Sequence, residues 1–215
     1  MTWFNSSPTK TSQAPSHLKA LYDTAATGWQ DGIQKLGFGT AYAELAASAL
    51  PKDAAFDRVV DVGTGTGALA QAALHRIATP RDLTLVDMSP AMLAKAAERL
   101  PATRLIEAAL GEPLHVSPQE LVLCAHVIEH CPDPKDAIKA LFDLTAPGGQ
   151  LVLAVSKPHW CTALVRWRWG NMAYRPAEVK EMLLDAGFEN PQEHRFSSGP
   201  PSRVSCGYSA SRPID

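Results

Sequence analysis

Two stretches of the chain bring together residue types that do chemistry. Residues 126–130 read His-Val-Ile-Glu-His, and residues 61–67 read Asp-Val-Gly-Thr-Gly-Thr-Gly. The first holds two imidazoles and a carboxylate within one short string. On a long helix His126 and His130 would share a face, with Glu129 beside them, and could hold a zinc ion. The flanking residues oppose that helix. Residues 120–125 (Glu-Leu-Val-Leu-Cys-Ala) read as a strand, and Pro132 and Pro134 cannot continue a helix. At most one turn is available, so no metal ligands are assigned. His126 then directly follows a strand, where it either contacts a cofactor or acts as a base on a substrate. His130 is expected to fix the local loop by hydrogen bonds. Glu129 either faces solvent or orients a neighbour.

In the second stretch Gly63, Gly65 and Gly67 fall on alternate positions after a short apolar run, Arg58 to Val62. Glycines there let the backbone approach a ligand closely, and the helix that follows aims free N–H groups at it. The spacing is D-x-G-x-G-x-G, whereas a dinucleotide fingerprint is G-x-G-x-x-G. Asp61 would repel a pyrophosphate but not an ammonium. Asp87, at the end of the next apolar run (83–87), can take both hydroxyls of a ribose and disfavours a 2′-phosphate. The site so read takes a ribose and an amine-bearing group without phosphates.

These residues need a scaffold. Strand candidates at 58–62, 83–87, Thr103 to Leu110, 120–125 and from Gln150 onward alternate with helical stretches, the pattern of an α/β domain with a mostly parallel sheet. Ser89 followed by Pro90 is a well-formed helix start. Near the end, two extended segments flank Gly-Pro-Pro-Ser (199–202), which predicts an antiparallel pair joined by a turn. The expected fold is a Rossmann-like open sheet of seven strands, six parallel and one antiparallel, with helices on both faces. Residues 1–15, rich in Ser, Thr, Pro and Gln, are expected to be a flexible tail. Residues 16–50 carry two helical stretches, a cap preceding the main domain at 51–215.

Composition narrows the function classes. The chain has 215 residues, 46% of them hydrophobic, and a formal net charge of −2, which opposes a general electrostatic nucleic-acid binder. No apolar run reaches the ~18 residues of a membrane span, and no secretory leader is read at the start. Four cysteines without C-x-x-C spacing read as reduced thiols, which points to the cytoplasm.

Four motifs in order resemble the class I S-adenosylmethionine-dependent methyltransferases of small-molecule type. Val-Val-Asp-Val-Gly-Thr-Gly-Thr-Gly-Ala-Leu-Ala (59–70) looks like their first motif. Residues 83–93 look like the acidic second-strand end with its helix, 121–134 like the fourth-strand motif, and 144–154 like the loop into strand five. The resemblance runs from roughly residue 55 to the end of the chain. It implies S-adenosylmethionine as cofactor and methyl transfer by in-line displacement. By position, Gly63, Thr64, Gly65 and Gly67 would pass under the cofactor, with Asp61 near its amino group. Asp87 would hold the ribose, Met88 would pack on the adenine, and Ala125 would complete the cofactor site. Tyr22 and Trp29 in the cap either close over the cofactor or simply pack. One departure is visible: Ala108 and Ala109 stand where many members carry an acid for the adenine amino group, so Glu107 or a backbone carbonyl would substitute. An NAD-dependent oxidoreductase and a non-catalytic cofactor-binding subunit are the alternative readings.

His126 and His159 are the candidate bases for an acceptor that carries a proton. The segment 157–175 holds three of the five tryptophans, interleaved with Lys157, Arg166, Arg168 and Arg175. It reads as a substrate lid, giving a pocket for an anionic or aromatic acceptor or an interfacial patch for a lipid-like one, or as a helix that packs its tryptophans and leaves its arginines solvated. Cys161 is expected to be an inert packed thiol.

Overall fold

The computed structural model of the chain describes residues 36–159 and 172–214. The first cap helix with Tyr22 and Trp29, the N-terminal tail, and most of the segment read as a lid, Cys161 included, lie outside the described residues. The second cap helix is α1, Phe38–Ala49.

Seven strands form one sheet: β1 Arg58–Val62, β2 Asp82–Asp87, β3 Arg104–Glu107, β4 Gln119–Ala125, β5 Thr145–Ser156, β6 Glu189–His194 and β7 Ser205–Ser211. Their spatial order is β3-β2-β1-β4-β5-β7-β6. The β1–β2, β1–β4, β2–β3 and β4–β5 pairs are parallel, whereas β7 runs antiparallel to both β5 and β6. The expected six-plus-one arrangement is therefore present. The apolar runs of β1, β2 and β4 are buried almost throughout, as strands covered on both faces must be.

Each connecting helix starts where the sequence says it should. In α3 (Pro90–Ala97) the Ser89 hydroxyl accepts the Met92 N–H at 3.2 Å, with proline at the first helical position. In α4 (Pro134–Leu144) Asp133 accepts the Lys135 N–H at 2.7 Å. α2 (Ala68–Leu74) follows the glycine loop directly, and α5 (Pro176–Asp185) precedes β6. Residues of α1, α2 and α3 build the core on one face of the sheet, around Leu45, Leu69 and Leu93. Those of α4 and α5 build the other, around Ile138, Leu183 and Tyr208. α1 lies close on β7, where a Cβ at Gly207 would stand 2.5 Å from Leu45 Cδ1.

Two details differ from the sequence reading. The Gly-Pro-Pro-Ser stretch is not a turn but the start of a short helix, α6 (Gly199–Val204), because prolines in a first helical turn forgo no bond. β5 begins at Thr145, before Gln150. Thr145 already pairs with Gln119, and the Pro147-Gly148-Gly149 stretch bulges out before pairing resumes at Leu121 and Gln150. Among the described residues no helix is long and apolar enough to cross a membrane.

The strand order reverses direction between β1 and β4, and open α/β sheets bind ligands outside the carboxyl ends of strands at such a switch point. β1 ends just before Gly63, β2 at Asp87 and β4 at Ala125. β5 ends at Ser156, which pairs with Ser205, the first residue of β7. The residues singled out for chemistry thus collect along one edge.

Candidate active site

The glycine loop is stitched to β2 by hydrogen bonds. Gly63 and Thr64 donate their N–H groups to the Val86 carbonyl at 2.8 and 2.9 Å, and Gly65 donates its own to Asp87 Oδ2 at 2.8 Å. The other oxygen of Asp87 accepts the Ser89 N–H at 2.9 Å. Gly63, Gly65 and Gly67 have φ of 68°, 52° and 81°, left-handed values that favour glycine. At Gly63 there is also no room, since a Cβ would fall 2.1 Å from Val127 Cγ2. Arg99 holds the loop from behind, donating to the Thr66 carbonyl at 3.1 Å and to the Gln71 side chain.

Asp61 lies beneath this loop, 1% exposed. Its Oδ2 accepts the Thr64 hydroxyl at 2.7 Å, while Oδ1 is buried without a hydrogen-bond partner among the described residues. Burial, helped by the charge of Asp87, pushes the carboxyl up to about 7, against the Thr64 hydroxyl and the Ala70 N–H. A buried carboxylate with an open lone pair favours a cation alongside it.

The His-Val-Ile-Glu-His stretch is a strand end followed by a single 3-10 turn, Ile128–His130. His126 itself has φ 58°, left-handed, so the two histidines do not share a helix face. Among the described residues no group of three or more His, Cys, Asp or Glu side chains could hold a metal ion. The turn instead builds a hydrogen-bonded chain. His126 Nδ1 is 3.1 Å from Glu129 Oε1 and 3.2 Å from Ser156 Oγ, and its Nε2 is 3.2 Å from Ser205 Oγ. Two rings of α1 flank the imidazole, Phe38 edge-on at 5.4 Å between centroids and Tyr42 tilted at 6.4 Å.

Glu129, which the sequence left either solvent-facing or orienting, is 2% exposed. Its Oε1 also accepts the Ser156 N–H at 2.6 Å, and its backbone carbonyl accepts the Met172 N–H at 3.0 Å. Burial raises its carboxyl, but the hydrogen bond and charge of His126 and the backbone donors outweigh this and hold it below its ordinary value. Burial lowers half-buried His130, with His126 adding to the effect and Glu129 opposing it. The Tyr42 phenol is driven far up by burial and by the charges of Glu129 and Asp61 together, so it stays a neutral hydroxyl between the two halves of the site. Burial likewise raises the thiol of Cys131, to about 11, and that of Cys124 well above its ordinary value, which leaves both inert.

Of the residues expected from sequence, Asp61, Gly63, Thr64, Gly65, Gly67, Asp87, Met88, Ala125 and His126 all fall along this edge, on or directly after β1, β2 and β4. His159, half-buried, lies three residues beyond β5 on the segment that leaves the same edge. Glu107 ends β3 exposed, and beyond it Glu112 accepts the Ala109 N–H at 3.1 Å. Sequence reasoning missed Phe38, Tyr42, Ser156 and Ser205. The i, i+4 spacing of Phe38 and Tyr42 was a readable signal that they share a helix face. The serines carried no local signal.

A family model described as a methyltransferase domain matches residues 34–194. The ubiquinone biosynthesis O-methyltransferase of Psychrobacter arcticus is 32% identical over 150 residues, covering 61% of this chain and 58% of that protein. The trans-aconitate 2-methyltransferase of Variovorax paradoxus is 38% identical over 116 residues, covering 53% of this chain and 42% of that one. The matches thus span about half the length of these curated relatives. Among solved structures, the N-methyltransferase NodS of Bradyrhizobium japonicum with S-adenosylhomocysteine superposes with a TM-score of 0.70 at 16% identity, covering 91% of this chain and 98% of that one. The magnesium protoporphyrin IX methyltransferase of Synechocystis with the same ligand gives 0.70 at 17% identity, covering 92% and 98%. With the fold, the glycine loop and its two buried aspartates already in place, the chain belongs to the class I S-adenosylmethionine-dependent methyltransferase family.

Proposed function

We propose that the protein transfers the methyl group of S-adenosylmethionine to a small-molecule acceptor by in-line displacement. The observation that carries this reading is the pair of buried carboxylates on either side of the glycine loop, one with an oxygen left open. When bound, the cofactor supplies a methyl group already activated on a sulfonium. The residues fit it. Asp61 Oδ1 is a buried acceptor suited to an ammonium, and Asp87, fixed by the Gly65 and Ser89 N–H groups, stands at the carboxyl end of β2, where a ribose would lie. Gly63, Thr64, Gly65 and Gly67 give the backbone its close approach, while Met88 and Ala125 border the same crevice.

The acceptor's class follows from the other half of the site. A carboxylate acceptor is already ionised near pH 7 and needs no base, whereas a phenol with a pKa near ~10 does. His126, oriented by the buried Glu129 and flanked by Phe38 and Tyr42, offers a base beside aromatic surface. We therefore favour a small phenolic acceptor, with His126 rather than His159 as the base. The relative named for ubiquinone biosynthesis lends support to that class, and the one named for trans-aconitate to an anionic acceptor. The test is transfer of labelled methyl from S-adenosylmethionine to catechols against transfer to tricarboxylates. Labelling of catechols, lost in His126→Ala, is expected. Labelling of tricarboxylates alone would sink the phenolic assignment.

A further inference from the structure

The chain of groups on either side of His126 contains more than a base needs for contact. Nδ1 faces Glu129 Oε1 at 3.1 Å, and that oxygen also receives the Ser156 N–H at 2.6 Å. A carboxylate taking a backbone N–H can only accept, so Nδ1 must carry the proton that joins them. Nε2 is left with its lone pair, facing Ser205 Oγ at 3.2 Å. The single Ser205 hydroxyl proton has two places to go: Nε2, or the Val155 carbonyl at 3.1 Å. Ser205 is fully buried, so its hydroxyl is not a nucleophile for an incoming substrate, while the His126 side chain is 23% exposed.

We propose that Glu129 and Ser205 are positioning residues that hold His126 as the Nδ1–H tautomer and give its Nε2 a hydrogen-bond partner both before and after it gains a proton. The proposal rests on the reading of His126 as the base. With neutral His126, the Ser205 hydroxyl donates to Nε2. When the acceptor's hydroxyl arrives, the serine proton turns to the Val155 carbonyl and frees the one Nε2 lone pair, which takes the acceptor's proton as the acceptor oxygen would bond to the methyl carbon and the C–S electron pair would return to sulfur. Nε2–H then donates to Ser205 Oγ, whose own proton stays on the Val155 carbonyl. The imidazolium is balanced across Nδ1 by Glu129, and its extra proton leaves to solvent before the next turnover. The left-handed backbone of His126 serves the same end, since it turns the ring back toward β5 and β7 instead of letting it follow the strand. The Met172 N–H on the Glu129 carbonyl and the Tyr174 N–H on the Ser156 carbonyl, both at 3.0 Å, tie the returning chain to the same two residues.

The test is nitrogen NMR of the full chain labelled at histidine, without acceptor, at alkaline pH, with wild type, Glu129→Leu and His126→Ala (the last to assign the signal). The expected wild-type result is a protonated Nδ1 and a pyridine-type Nε2. In Glu129→Leu the acceptor is gone and the Ser156 hydroxyl, 3.2 Å from Nδ1, can donate to that nitrogen instead, so the pyridine-type signal should move to Nδ1. Turnover should fall by roughly 10²-fold or more with S-adenosylhomocysteine affinity unchanged. A wild-type ring protonated at Nε2, or a tautomer indifferent to Glu129→Leu, would overturn the proposal. If Glu129→Leu fails to fold, the wild-type tautomer alone decides. Because the tautomer is read without acceptor, His126→Ala retaining full turnover would defeat the base assignment by a separate result.

Discussion

Asp87 Oδ2 accepts the Gly65 N–H at 2.8 Å, so the carboxylate that ends β2 is also the clasp that shapes the loop after β1. A single side chain joins the backbone of the cofactor loop to the position expected to hold a ribose. Asp87→Ala should therefore weaken S-adenosylhomocysteine binding by about 1–3 kcal/mol, losing ribose bonds and the loop's shape together. Calorimetric titration measures it, and unchanged affinity would remove Asp87 from the site.

Asp61 is expected to make cofactor binding pH-dependent. Its folded carboxyl titrates near 7, above the ~3.9 of an unfolded aspartate. The folded chain thus binds the extra proton between about pH 4 and 7, and Asp61's contribution to stability is present at low pH and falls as pH rises through that window. An ammonium placed against Asp61 favours the ionised form. Binding of S-adenosylhomocysteine at pH 6 should release a proton, seen as a dependence of the calorimetric heat on buffer ionisation enthalpy. Asp61→Asn should abolish that release and raise stability at pH 8.

The loop's packing is testable by a pair of variants. Gly63→Ala puts a methyl at 2.1 Å from Val127 Cγ2 on a left-handed backbone, a strain of at least about 1–2 kcal/mol before the clash. Adding Val127→Ala should relieve the clash but not the backbone term. Urea denaturation of the two single variants and the double variant should show a double variant more stable than the sum of the singles predicts. Strict additivity would contradict the contact.

Ser89 is a local feature with a local cost. Its hydroxyl caps α3 through the Met92 N–H while its own N–H is held by Asp87. Ser89→Ala should cost about 1 kcal/mol of stability by denaturant unfolding. A neutral result would mean that the cap contributes nothing.

What the sequence made legible was what neighbouring residues decide. The step from Val62 into the glycine loop, the Ser89-Pro90 start and the prolines that limit the turn after His126 all act within a few positions. What stayed hidden depends on pairing across the fold. The choice for Glu129 was open until the Ser156 N–H, 27 residues away, was seen to hold its carboxylate inside. Ser205 meets His126 only because β7 runs antiparallel and begins opposite Ser156. Tyr42 reads as an ordinary apolar-face aromatic until α1 is laid over the strand ends. The two prolines of α6 looked like a turn because proline serves turns and first helical turns equally well.

The most direct test of the central claim is calorimetric titration of the purified protein with S-adenosylhomocysteine, with NAD as the control. The account predicts saturable binding of S-adenosylhomocysteine, weakened in Asp87→Ala, and no heat from NAD. Binding of NAD with none of S-adenosylhomocysteine would contradict it.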